Sequence, residues 1–203
     1  KPAASGSGQF VRYANDDQTL LISKTIELPD ERSDWLRPVI FDFDFDDVRE
    51  LRVQDSVSGE FKIKRNEVAI ESESQELQLP LSDKNNYELA ENFHMEGLAE
   101  GEELQYGSIL DGLVRNVLGL KVKDVMLKQN SQGMSQDHEF DMLIKQDDGV
   151  KSVQFSLLTD NQDKPSYWLS MANNQWLMKI SDFDYKQVSK GKLDYLTEPE
   201  SVE

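Results

Sequence analysis

The chain has 203 residues, with 39 acidic against 22 basic side chains, a net charge of −17 and no cysteine. That charge repels phosphate backbones and anionic headgroups, which argues against nucleic-acid and lipid-surface binding. The lack of cysteine excludes a disulfide framework, a thiol nucleophile, a zinc knuckle and an iron–sulfur site. At 37% apolar and 30% charged the composition is globular, and a chain of this length buries roughly 70% of its unfolded surface, enough for one good core or two small ones.

No run reaches the roughly 18–20 apolar residues of a membrane span, and no signal peptide opens the chain. The longest mainly apolar segment, Ile109 to Leu120, is interrupted by Asp111, Arg115 and Asn116. Residues 1–8 are small and polar, the composition of a flexible linker. Because the chain opens on Lys1, a fragment of a longer protein is expected, with any anchor upstream. Residues 198–203 are acidic, contain Pro199, and are expected to form a loose tail.

Phe10-Val-Arg-Tyr13 and Thr19-Leu-Leu-Ile22 flank Asn15-Asp16-Asp17, which predicts a hairpin. Asp30 to Leu36 is expected to make one helical turn ending before Pro38, with Trp35 inward. Val39 to Asp47 alternates Phe41, Phe43 and Phe45 with Asp42, Asp44 and Asp46, which predicts a strand with its acids outward. Leu51 and Val53, then Phe61 and Ile63, alternate with charged residues across Ser58-Gly59 and predict two strands with one wet face. Val68 and Ile70 are expected to add a third, and Leu77, Leu79 and Leu81 alternate next.

The i, i+3, i+4, i+7 spacing of Tyr106, Ile109, Leu110, Leu113, Val117 and Leu118 predicts a helix over 104–119, stopped at Gly119. A strand is expected over Val122–Leu127 and a polar loop or lobe seam over 129–137. Beyond it, Phe140–Ile144, Val153–Leu157, Tyr167–Met171 and Trp176–Ile180 are separated by three polar turns, which predicts an antiparallel meander. Ser181-x-x-Asp184 opens a closing helix with Tyr185, Val188 and Leu196 on its apolar side. The fold class expected is therefore α+β: antiparallel sheet with helices packed on one face, in two strand-meander-plus-helix modules. The expected organisation is a first lobe at 9–128 and a second meander plus helix at 138–197, packed as one unit.

Chemistry-bearing motifs are sparse. Asp42-x-Asp44 after an apolar strand is how haloacid-dehalogenase-type phosphatases place a nucleophile and a general acid. That chemistry needs a Gly-Thr turn next and a parallel sheet, whereas Phe45-Asp46 follows in a meander-like chain. Asp147-Asp148 resembles later metal-binding acids but sits in a turn. Asp42, Asp44 and Asp46 have the 1-3-5 spacing of a calcium loop, but Asp47 stands at position six and Val53 at position twelve, so only weak cation binding remains open to them. His94 and His138 are isolated in polar contexts, and both are expected at the surface. Ser108 follows a single Gly and makes no nucleophile elbow. Tyr167 and Trp168, with Trp176, are candidates for an aromatic binding surface; core packing is the alternative.

The order of landmarks resembles a known family. Gln9-Phe-Val-Arg-Tyr13, Asp17-Gln-Thr-Leu-Leu-Ile22, Glu27-Leu-Pro-Asp30, Asp34-Trp-Leu36, Ile40-Phe-Asp-Phe-Asp44, Tyr87-Glu-Leu-Ala90, Leu118-Gly-Leu120 and Trp176-Leu-Met-Lys-Ile180 occur in the order seen in the domain-of-unknown-function family numbered four-three-four-zero. The resemblance implies a membrane-anchored, extracytoplasmic bacterial protein, tethered by an upstream transmembrane helix and accompanying ABC-transporter components of the gliding-motility type. No catalytic residues are established for that family, so none carries over.

The functional expectation is a non-catalytic accessory or interaction domain on the periplasmic side, with membrane-protein partners and no cofactor. A binding module for envelope glycan or a small ligand is the alternative, and a hydrolase built on Asp42 and Asp44 is the third reading.

Overall fold

The computed structural model describes residues 8–24, 26, 32–66 and 91–197, and the chain falls into two units, 1–35 and 36–203. The expected strands at Val68–Ile70 and Leu77–Leu81, the Tyr87–Ala90 landmark, and the tail at 198–203 lie outside the described residues. So does the linker apart from Gly8.

In the first unit the polar turn closes the predicted hairpin. β1 (Gln9–Val11) pairs antiparallel with β2 (Leu20–Ile22), Phe10 opposite Leu21. The Asp16 N–H reaches the Tyr13 carbonyl at 3.2 Å, and the Gln18 N–H reaches the Asp16 carboxylate at 2.8 Å, which are the local bonds that favour Asp in turns. Arg32–Trp35 forms one 3-10 turn. Trp35 is 62% exposed, contrary to the inward position expected for a large aromatic.

The second unit is organised by period-two alternation. β3 (Val48–Asp55), β4 (Gly59–Arg65), β5 (Phe93–Glu96), β6 (Asp124–Leu127), β7 (Met134–Gln146), β8 (Gly149–Asp160), β9 (Ser166–Met171) and β10 (Trp176–Ile180) form one sheet in the order β5-β4-β3-β7-β8-β9-β10-β6. Every pairing between named strands of the described residues is antiparallel. The residues on either side of 129–137 thus share a sheet through β3 and β7. Of the expected loop there, 134–137 is already strand, and Lys128–Asn130 is a 3-10 turn.

Alternate residues of these strands meet in one core. Leu51, Val53, Phe61, Ile63, Phe93, Met95, Phe140, Met142, Ile144, Phe155 and Leu157 are all buried. The rings of Phe140 and Phe155 stack at 4.6 Å, and Phe41 meets Phe155 at 4.9 Å. Two helices contribute to the same core: α1 (Ile109–Leu118) through Leu110, Leu113, Val114 and Val117, and α2 (Asp182–Val188) through Val188. In-phase apolar residues outweigh the modest intrinsic propensity of such short helices. The capping expectation holds at α2, where the Ser181 hydroxyl accepts the Asp184 N–H at 3.0 Å.

Three expected elements end differently. α1 starts at Ile109 because Leu104 is bridged to Leu196 and the Gln105 N–H is donated to the Tyr195 carbonyl at 3.0 Å, so 104–106 serves the C-terminal segment. Tyr106, placed on the apolar stripe by its spacing, is 60% exposed. α2 ends at Val188, and Leu196 follows a separate 3-10 turn, Lys192–Tyr195. Val39–Asp47 forms no strand with the described residues: among them only Val39 makes a bridge, to Lys121, and Phe45–Asp47 is a 3-10 turn. The facing is nevertheless as expected, with Phe41 buried, Phe43 and Phe45 packed on the core, and Asp42, Asp44 and Asp46 exposed.

Candidate functional site

A single extra residue concentrates polar side chains at one end of the sheet. The register of β7 against β8 shifts between Gln136 and His138, leaving Asp137 as a bulge. A bulge re-aims side chains at its site, and here Asp137 and His138 both reach groups near the core. Asp137 Oδ2 accepts the Tyr185 hydroxyl at 3.0 Å and the Thr159 hydroxyl, while Oδ1 accepts from Ser135 at 3.2 Å. Tyr185 stacks on Tyr167 at 3.9 Å, and burial pushes its phenol up from the ordinary value.

On the β3 side, Asp55 and His138 are register partners. Their side chains are 9% and 8% exposed, with His138 Nε2 3.7 Å from Asp55 Oδ1. Asp55 is held by its own turn: the Val57 and Ser58 N–H groups donate to it at 3.0 Å each, and the Ser58 hydroxyl donates as well. Burial alone would raise the Asp55 carboxyl, but these donors from Ser58 and Val57, with the nearby His138, bring it below the usual carboxylate range. Burial lowers the His138 imidazole below its ordinary value, against the opposing pull of Asp55 and Asp137. Neither ring nitrogen has a hydrogen-bond partner among the described residues. The arrangement is a neutral imidazole beside a fixed carboxylate, shut away from solvent.

His138, which its polar neighbours place at the surface, is instead buried. The signal was available, because His138 is in phase with Phe140, Met142 and Ile144. The polar run before it read instead as a loop. His94 is exposed as expected, its Nδ1 2.6 Å from Asn66 Oδ1.

The other predicted site residues are dispersed. Asp42 is paired with Arg37 at 2.8 Å in full solvent. Asp42, Asp46 and Asp47 share an open depression with Arg49, Lys145 and Asp147, but no group of three acidic or histidine side chains among the described residues is placed to hold a metal ion. The antiparallel ladders also do not form the parallel strand end that the phosphatase reading needs. Trp168 is 7% exposed and therefore offers no exposed binding surface. Its indole N–H donates to Ser166 Oγ at 2.9 Å, and the Lys179 ammonium lies 5.7 Å from its ring. Tyr167 is half-buried in its stack with Tyr185.

Across β3, β4 and β5 the face of the sheet opposite the core is polar. Lys62 and Lys64 reach Glu96 at 2.7 and 2.5 Å and Glu50 at 3.8 and 3.9 Å, and Arg52 reaches Glu60 at 3.5 Å. Hydrogen bonds from Lys62, then Lys64, hold the Glu96 carboxyl at about 2.

No curated protein and no solved structure matches the chain. A family does match, from β1 into β9 and across both the hairpin and bulge regions: the chain belongs to the family described as a domain of unknown function, DUF4340, whose pattern covers residues 1–170.

Proposed function

We propose that this domain is a non-catalytic interaction module, standing outside the membrane as part of a membrane-anchored protein and working with an ABC-type transport system. The observation that carries the non-catalytic reading is the enclosure of the Asp55–His138 pair. It is the one imidazole–carboxylate contact among the ion pairs of the described residues, and its carboxylate is already engaged by a turn. A general base must reach a substrate proton within hydrogen-bond distance, and this one faces the core. In this reading both helices lie on the apolar side of the sheet, and the polar side and the sheet edges are left for a partner. The transport association rests on the family resemblance. No helix of the described residues is long and apolar enough to cross a membrane, so in this reading the tether belongs to another segment.

The test is co-purification of the full-length protein from its own membranes, run beside a broad hydrolase screen of the purified domain. Transporter components recovered with the protein, together with no turnover of phosphate-ester, peptide or ester substrates, are the expected result. Magnesium-dependent phosphatase activity abolished by Asp42→Asn would overturn the reading.

A further inference from the structure

The β7–β8 hairpin runs on past the end of β9. Phe155 is the last β8 residue paired with β9, opposite Met171, while the pairing with β7 continues to Gly149. One bond beyond the ladder, the Ala172 N–H donates to the Gln154 carbonyl at 3.1 Å. That bond fixes which way the main chain points. The carbonyl of Gln154 faces the β9 side, and strand periodicity turns the N–H and C=O of Ser152 and Val150 the same way. No register shift intervenes between these residues, and no backbone bond from Ser152 or Val150 to another element is present among the described residues. Beside this open edge lies a concavity of about 460 Å³, whose lining includes Phe41, Phe43, Ser152, Gln154 and Asn173.

We propose that the open edge of β8 from Val150 to Ser152, with the slot walled by Phe41 and Phe43, receives an extended polypeptide segment of a partner protein as an added strand. Main-chain groups of Val150 and Ser152 supply the pairing, since the Gln154 carbonyl is already taken by Ala172; this is the general mode in which a peptide extends a sheet. Successive side chains of the incoming strand alternate between faces. One set enters the slot beside Phe41, Phe43 and Val153 and must be apolar. Lys151 stands on the same side of the strand, is exposed, and has no ion pair among the described residues, so a carboxylate on the guest strand opposite it is favoured. A second copy of this chain is the wrong occupant: it would set Lys151 against a like edge and bring together two bodies of net charge −17. The proposal deepens the interaction-module reading by naming its surface and partner class.

The experiment selects random linear peptides displayed on phage against the whole chain and measures the winners in solution. The expected winners alternate apolar residues and carry an acid. N-methylation at one parity of their backbone should weaken binding at least about tenfold, while the other parity is tolerated. Ser152→Pro removes an edge N–H that makes no backbone bond among the described residues, and Phe43→Asp fills the slot with charge; each should weaken binding by a similar factor with the far-ultraviolet spectrum unchanged. The methylation series needs no variant protein, so it decides the matter even if a variant fails to fold. Winners indifferent to methylation, enrichment only on an oligosaccharide array, or dimerisation through β8 would each overturn the edge site. If membrane co-purification persists in Ser152→Pro, the edge site is overturned while the interaction-module reading stands; loss of hydrolase inertness overturns only the latter.

Discussion

His138 Nε2 stands 3.7 Å from Asp55 Oδ1, and the two residues are register partners across β3 and β7. The contact is too long for a hydrogen bond, and the imidazole remains neutral because burial lowers its affinity for a proton more than Asp55 and Asp137 raise it.

This fixes the sign of the pH dependence. In the unfolded chain the imidazole titrates near its ordinary value of about 6.5, so below that pH the unfolded state binds more protons than the fold. Stability should be complete above neutral pH and fall as pH drops through that value, by at most about 1.4 kcal/mol per pH unit from this one group. Urea melts at several pH values between neutral and mildly acidic check it, with His138→Phe expected to flatten the slope. Asp55, held below the usual range, adds a second loss only at more acidic pH. An unchanged slope in His138→Phe would mean that the imidazole is reached by water in the fold.

The Asp137 bulge should be worth more than its exposure suggests. Its carboxylate accepts from Thr159, Tyr185 and Ser135, joining β7, β8 and α2. Asp137→Ala removes the acceptor these three hydroxyls share, leaving Ser135 the Thr159 carbonyl at 3.5 Å and Thr159 the Tyr185 hydroxyl at 3.4 Å, and is expected to cost about 1–3 kcal/mol by denaturant melts. Tyr185→Phe should cost about 1 kcal/mol and couple to Asp137→Ala in a double-mutant cycle, since both remove the same bond. Additive losses would show that the Tyr185 hydroxyl contributes independently of the bulge.

Much of this fold was legible because its strands alternate cleanly. Leu51 and Val53, Phe61 and Ile63, and Phe140, Met142 and Ile144 announce both their strands and their inward faces, and the turns at Ser58-Gly59 and Asp147-Asp148 fix the pairing. What failed depended on distant partners. Alternation at Phe41–Asp46 sets the facing correctly, but a strand needs a neighbour to bond, and among the described residues only Val39 has one. The start of α1 is decided by Leu196 and Tyr195, from near the other end of the chain. Trp168 alternates with Leu169, so its side chain lies on the face away from the core, yet it is buried there with Leu177. Period-two reasoning names a face and says nothing of what lies over it.

That burial changes what substitution at Trp168 would report. Trp168→Ala is expected to destabilise the domain by about 3–5 kcal/mol, the usual loss for a buried large aromatic, so loss of partner binding in this variant would reflect folding. By contrast, Asp42→Asn and Asp44→Asn should change stability by less than about 0.5 kcal/mol, because both carboxylates are exposed and the Arg37–Asp42 pair is fully solvated. Leu113→Ala, in the buried stripe of α1, should cost about 2–4 kcal/mol. Chemical denaturation of the four variants side by side would separate core from surface; a Trp168→Ala loss no larger than that of Asp44→Asn would show the indole to be dispensable.

The closest approach around the Asp55 turn comes from a glycine. Gly191, between α2 and the 3-10 turn at Lys192–Tyr195, has φ −82°, a conformation open to any residue, so glycine is not required there by its backbone. It is required by space: a Cβ at Gly191 would lie 2.2 Å from Ser58 Oγ and 2.8 Å from Asp55 Oδ2. Ser58 can turn its hydroxyl away only by giving up its bond to Asp55, and Asp55 can retreat only by releasing the Val57 and Ser58 N–H groups. Gly191→Ala should therefore cost about 1–3 kcal/mol, as overpacking commonly does, although alanine would gain slightly at this φ through a less flexible unfolded chain. Removing the first obstacle should recover part of the loss. In a double-mutant cycle Gly191→Ala is expected to be less harmful on a Ser58→Ala background, with the remainder set by Asp55. Displacing Asp55 also withdraws the carboxylate from His138, so Gly191→Ala should lower the imidazole further, and nuclear magnetic resonance titration of the His138 ring would show it. A Gly191→Ala protein as stable as its parent, with an unchanged His138 titration, would mean that the segment swings clear of the turn and that the close approach constrains nothing.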